Sequence, residues 1–95
     1  MAKGTWVVVD QRDGRIRKVT FELLSAAQNY GDEVTAVLIG KGVEGLAPEL
    51  GKYGADKVLV ADDDIFAVYN TGAYAAQMAA MIKEYDPAVV LFGHT

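Results

Sequence analysis

Four short apolar runs divide the chain: Trp6-Val7-Val8-Val9, Val34-Thr35-Ala36-Val37-Leu38-Ile39, Val58-Leu59-Val60-Ala61 and Val89-Val90-Leu91-Phe92. Each is rich in β-branched residues and almost continuously apolar. That is the pattern of strands buried on both faces, as in a parallel sheet covered by helices on each side. The segments between them follow a helical period instead. Val19, Leu23, Leu24, Ala27 and Tyr30 form one stripe, which predicts a first helix ending at Gly31. Leu46 to Tyr53 predicts a shorter second helix, with Pro48 in its first turn, where a missing amide hydrogen is tolerated. From Thr71 onward, Tyr74, Ala75, Met78, Ala79, Ile82 and Tyr85 mark a third helix that Asp86-Pro87 stops.

Strand and helix therefore alternate along the whole chain, which implies βαβ units, right-handed crossovers and a parallel sheet. The expected fold is a three-layer α/β/α, doubly wound and Rossmann-like. The first strand is central and the chain reverses direction after the third, giving the strand order 3-2-1-4. The sequence closes at Gly93-His94-Thr95 with no further helical segment over the fourth strand, so the domain reads as incomplete. The outer edge of the strand at 88–92 carries no lysine, no interior proline and no inward charge, which predicts self-association by strand addition.

Composition narrows the chemistry. The 95 residues include no cysteine and a single histidine, which excludes thiolate nucleophiles, zinc–thiolate centres and multi-histidine metal sites. A formal charge of −4 argues against nucleic acid as a partner, because phosphate-backbone affinity comes from clustered lysine and arginine. No apolar run approaches the roughly 20 residues that span a bilayer. A cytoplasmic or organelle-matrix protein is expected.

In open α/β sheets ligands gather beyond the carboxyl ends of the strands. The residues there are Asp10-Gln11-Arg12, Gly40-Lys41-Gly42, Asp62-Asp63-Asp64 and Gly93-His94-Thr95. None forms a dinucleotide or P-loop fingerprint. Asp13-Gly14 reads as a turn, and Gly40-Lys41-Gly42 as a flexible strand-to-helix connection, a phosphate contact being the alternative. The three aspartates at 62 to 64 read as a solvated loop rather than a magnesium site, since adjacent side chains diverge. His94 is a lone imidazole at a strand end, with a hydrogen-bonded or solvent-facing role weighed against a functional one. Trp6, Met78 and Met81 are assigned to the core, and neither Ser25 nor Thr71 has a base beside it in the sequence. The candidate cofactor-binding residues are Asp10, Gly93, His94 and Thr95. No catalytic or metal-ligating residue is assigned.

Several stretches taken together resemble the amino-terminal domain of electron transfer flavoprotein alpha subunits. They are Trp6-Val7-Val8-Val9-Asp10-Gln11-Arg12-Asp13-Gly14-Arg15-Ile16, then Val19-Thr20-Phe21-Glu22-Leu23-Leu24-Ser25-Ala26-Ala27, Val37-Leu38-Ile39-Gly40, Tyr53-Gly54-Ala55-Asp56-Lys57-Val58, and Pro87 through Thr95. The resemblance covers essentially the whole chain. It implies that residues 1–95 are the first half of that amino-terminal α/β domain, pairing with a beta subunit. FAD would be held mainly by a separate carboxy-terminal domain, and electrons would pass from flavin dehydrogenases to a quinone oxidoreductase or other acceptor. The segment would then be a scaffold and interface element with no enzymatic activity and no FAD of its own. The competing expectation is a stand-alone nucleotide-binding module of universal-stress or adenine nucleotide alpha hydrolase-like architecture, with an adenylate lying between Asp10 and Gly93.

Overall fold

The structure is a computed structural model that describes residues 4–12, 14–30, 32–66 and 71–92. Four parallel strands, β1 (Thr5–Val8), β4 (Val34–Gly40), β5 (Lys57–Asp62) and β6 (Val89–Leu91), form one sheet in the order β5-β4-β1-β6. In terms of the four apolar runs this is the expected order 3-2-1-4. A two-stranded antiparallel hairpin, β2 (Gln11–Arg12) with β3 (Arg15–Ile16), leaves the carboxyl end of β1. The helices are α1 (Lys18–Ala27), α2 (Ala47–Lys52) and α3 (Thr71–Tyr85).

β1 and β4 are paired on both sides, in the registers Val7↔Ala36, Val7↔Leu91 and Val37↔Leu59. Every residue of β4 is buried, as a strand covered on both faces requires. Alternation splits its side chains between two cores. Val7, Val9, Ala36 and Leu38 face α1 and α2, meeting Leu24, Ala27 and Leu50. Trp6, Val37 and Ile39 face α3, meeting Met81 and Phe66. The edge strand β5 is less covered than its apolar sequence predicts, and Val60 is exposed because a sheet edge has a neighbour on one side only.

Two helix faces differ from the expected stripes. On α1 the buried residues are Thr20, Leu24 and Ala27. Leu23 is only partly buried, while Tyr30 lies in the 3-10 turn Gln28–Tyr30 and is exposed. The buried stripe thus keeps Leu24 and Ala27 but begins with the hydroxyl of Thr20 in place of Val19. On α3 the core contacts come from Ala73, Tyr74, Met78 and Met81, whereas Ile82 and Tyr85 stay exposed near the helix end. Tyr85 keeps a tilted ring contact with Trp6 at 6.1 Å between centroids. The helix stops where the sequence predicts, with Asp86 at φ +49° donating its N–H to the carbonyl of Ile82.

Candidate functional site

The crossovers place the carboxyl ends of all four parallel strands on one rim, and Asp10, Gly40–Gly42 and Asp62–Asp64 fall there. Asp10 follows β1. Its N–H donates to the Thr20 hydroxyl at 2.8 Å, that hydroxyl donates back to the Asp10 carbonyl at 3.3 Å, and the same carbonyl accepts the Arg17 N–H at 2.7 Å. The Asp10 carboxylate lies 3.9 Å from the Arg17 Nε. Asp10 is therefore the corner that ties β1 to the first turn of α1, which has no side-chain N-cap of its own. Gly93, His94 and Thr95 lie outside the described residues.

A second corner follows β4. Gly42 has φ +68°, the left-handed region where a side chain is strained. Gly40 is needed for a different reason, since a Cβ there would stand 2.8 Å from Val43 Cγ1. The chain turned by these glycines aims three successive backbone N–H groups at one point, an anion-binding nest. The Asp62 carboxylate fills it. Oδ1 accepts from Gly42 at 2.9 Å, and Oδ2 accepts from Val43 at 2.8 Å and Glu44 at 3.2 Å. The Gly42 N–H is the leading influence that lowers the Asp62 pKa, with Val43, Glu44 and the charge of Lys41 in the same direction, against a desolvation cost that raises it.

The other two aspartates turn elsewhere. Asp63 accepts the Ile65 N–H at 3.1 Å, and Asp64 pairs with Lys41 at 3.5 Å. Among the described residues no group of three acidic or imidazole side chains could hold a metal ion. The divergence expected of adjacent aspartates is thus seen, but Asp62 is more than a solvated loop residue: it is the counter-anion of the Gly42–Glu44 loop. The loop donors that a ligand phosphate would need are already used, and the arrangement amounts to a closed internal latch between β5 and the entry to α2. Sequence reasoning had no access to it, because 18 to 20 residues separate donors from acceptor. Thr20 was missed for a similar reason, a threonine within a helical stripe being most simply a neutral surface residue. The shallow surface depression lined by Ala26, Asn29 and Tyr30 lies at the far end of α1 from this rim.

Comparison with known proteins bears on what such a rim serves. The family described as "Electron transfer flavoprotein domain" matches residues 5–95, nearly the entire chain. The chain belongs to the electron transfer flavoprotein domain family. One relative, the electron transfer flavoprotein subunit alpha of Syntrophomonas wolfei subsp. wolfei, is 70% identical over 92 residues, covering 97% of this chain and 29% of that protein. The subunit alpha of Megasphaera elsdenii is 46% identical over 97 residues, 98% of this chain and 29% of its own length. The acryloyl-CoA reductase electron transfer subunit beta of Anaerotignum propionicum is 40% identical over 94 residues, 95% of this chain and 26% of its own. The chain spans under a third of the length of these relatives. No described helix of this electron transfer flavoprotein domain is long and apolar enough to cross a membrane.

Proposed function

We propose that the chain is the amino-terminal scaffold of an electron transfer flavoprotein alpha subunit, without catalytic chemistry of its own. The observation that carries this reading is the match along 97% of the chain to a subunit alpha at 70% identity. The loop after β4 is consistent with it, because the anion nest at Gly42–Glu44 is occupied by Asp62 and so offers no seat for a flavin or adenylate phosphate. The alternative of a stand-alone nucleotide-binding module, with an adenylate between Asp10 and Gly93, is less favoured by the match to subunit alpha sequences. FAD in the complete protein would be held outside residues 5–92, and the partner would be a beta subunit. Electrons would pass from flavin dehydrogenases to a quinone oxidoreductase or another acceptor, in a bacterial or archaeal cytoplasm or a mitochondrial matrix.

The surface assigned to association is the outer edge of β6. Within the described sheet β6 pairs only with β1, and Phe92 beside it is 60% exposed. In the isolated chain this edge would serve strand addition from a second copy, whereas in the complete domain a fifth strand would flank it. The test is co-expression of the full-length subunit bearing this segment with its beta subunit. The full-length subunit is expected to co-elute with the beta subunit and FAD on gel filtration, whereas the 95-residue chain alone is expected to self-associate without FAD, an assembly that Phe92→Glu should weaken. Failure of the full-length subunit to associate, or FAD retained by the 95-residue chain alone, would contradict the scaffold reading, and self-association unchanged by Phe92→Glu would contradict the edge assignment.

A further inference from the structure

Trp6 is the single tryptophan of the chain, and it lies 4% exposed in the central strand β1, in register with Thr35 of β4 and Val90 of β6. It packs in the cluster against α3, among Val37, Ile39, Phe66 and Met81. An indole gives up one electron readily, whereas the aliphatic and phenyl groups around it do not. Tyr85, the last residue of α3, sets its ring 6.1 Å from the indole, centroid to centroid and tilted by 57°, while 53% of the residue stays exposed. The helix end fixes it there, with the Asp86 N–H donating to the Ile82 carbonyl at 2.8 Å. Tyr74 packs against the same cluster, but its hydroxyl donates to the Ile39 carbonyl at 2.7 Å, and a carbonyl is too weak a base to take a phenol proton. Among the described residues Tyr85 is therefore the phenol that meets the indole on one side and water on the other. Covering Trp6 calls for a ring at this position, not for a hydroxyl.

We propose that Trp6 and Tyr85 form a one-electron relay that carries an oxidising equivalent from the sheet to the surface. The oxidant is a strong one-electron acceptor of the hydroxyl- or carbonate-radical class. It takes one electron from the Trp6 indole and leaves the indole radical cation. Tyr85 supplies one electron to that cation while its phenol proton passes to water, so the indole is restored and a tyrosyl radical remains. A soluble reductant such as ascorbate then returns one electron and one proton to the phenoxyl oxygen. A phenol whose proton can leave to water is oxidised more easily than an indole, which sets the outward direction. The half-exposed ring of Tyr85 supplies that condition, and the hydrogen-bonded hydroxyl of Tyr74 does not. Oxidation is thereby drawn away from a residue at the centre of the sheet and from the thioethers of Met78 and Met81 in the same cluster, whose conversion to sulfoxides would place polar groups in the core.

The experiment excites the full chain at the red edge of indole absorption, where tyrosine is transparent, with a cobalt(III) ammine as irreversible electron acceptor. Transient absorption then follows the indole and phenoxyl radicals. The phenoxyl signal is expected to rise as the indole radical decays, at a rate independent of protein concentration. Tyr85→Phe keeps the ring over Trp6 and removes only the hydroxyl, so it should melt like the parent chain yet lose the phenoxyl signal and prolong the indole radical. Tyr53→Phe, whose ring packs on Phe21 at 4.1 Å instead, should leave the transfer unchanged. With ascorbate present, continued irradiation should leave the indole fluorescence of the parent chain largely intact and bleach that of Tyr85→Phe. Absence of a phenoxyl signal in the parent, its persistence in Tyr85→Phe, a transfer rate that scales with protein concentration, or equal bleaching of the two chains would each overturn the proposal.

Discussion

The two faces of the sheet are built differently although the same strands supply both. Against α1 and α2 the strands present Val7, Ala36 and Leu38, and these together with Leu24, Ala27 and Leu50 are 0% exposed. Against α3 they present Trp6, Val37 and Ile39, closed by Met81 and Phe66 at 8% exposure each, while Ile82 and Tyr85 remain partly in solvent. The first face is sealed by medium-sized branched side chains, the second by large rings and a flexible thioether that cover more area less completely. The fold's rigidity should therefore lie on the α1 side, and the α3 side should yield more readily.

Substitutions can break that contrast. The largest effect is expected from Leu24→Ala, which opens a cavity where nothing can relax and should cost about 2–5 kcal/mol in urea melts. Met81→Ala, its counterpart on the other face, should cost less, about 2–3 kcal/mol, because the site is not fully closed and its neighbours can shift. Equal losses would show that the two faces are equally packed. Thr20→Val keeps shape but removes the acceptor for the Asp10 N–H. It is expected to cost about 1–2 kcal/mol, with hydrogen exchange at Asp10 accelerated, locating the loss at the β1–α1 corner. Leu23→Ala, a residue only partly buried, should cost about 1 kcal/mol, well below Leu24→Ala.

The smallest effect concerns pH. The folded-state pKa of Asp62 lies below its ordinary value of 3.8, so the latch contributes stability that is fully present above pH 3.8 and is lost as pH falls through the lowered pKa. Asp62→Asn should flatten the acid limb of the stability curve relative to the parent chain. Identical acid limbs would mean that the carboxylate charge does not hold the loop.

The layered architecture could be read from the sequence because its signal is local. The run from Val34 to Ile39 is apolar on both faces and forms the fully buried central strand β4, and Asp86-Pro87 ends α3 as steric rules require. The β2–β3 hairpin could be read only as a turn at Gly14, since strands of two residues, Gln11-Arg12 and Arg15-Ile16, carry no alternating pattern to detect. The exposure of Val60 was hidden because an apolar run looks the same at an edge and in the middle of a sheet. The Asp62 latch was illegible for a different reason: a carboxylate and three amides distant in sequence leave no compositional trace until topology brings strand ends together.

The central proposal is that this segment is a scaffold of an electron transfer flavoprotein alpha subunit, with FAD held mainly by another domain of the complete protein. Its most direct test is to incubate the purified, cooperatively melting chain with excess FAD, pass it over a gel-filtration column and record the visible spectrum of the protein peak. The account predicts a colourless peak for the parent chain. A flavin absorption band that stays with the parent protein would contradict it.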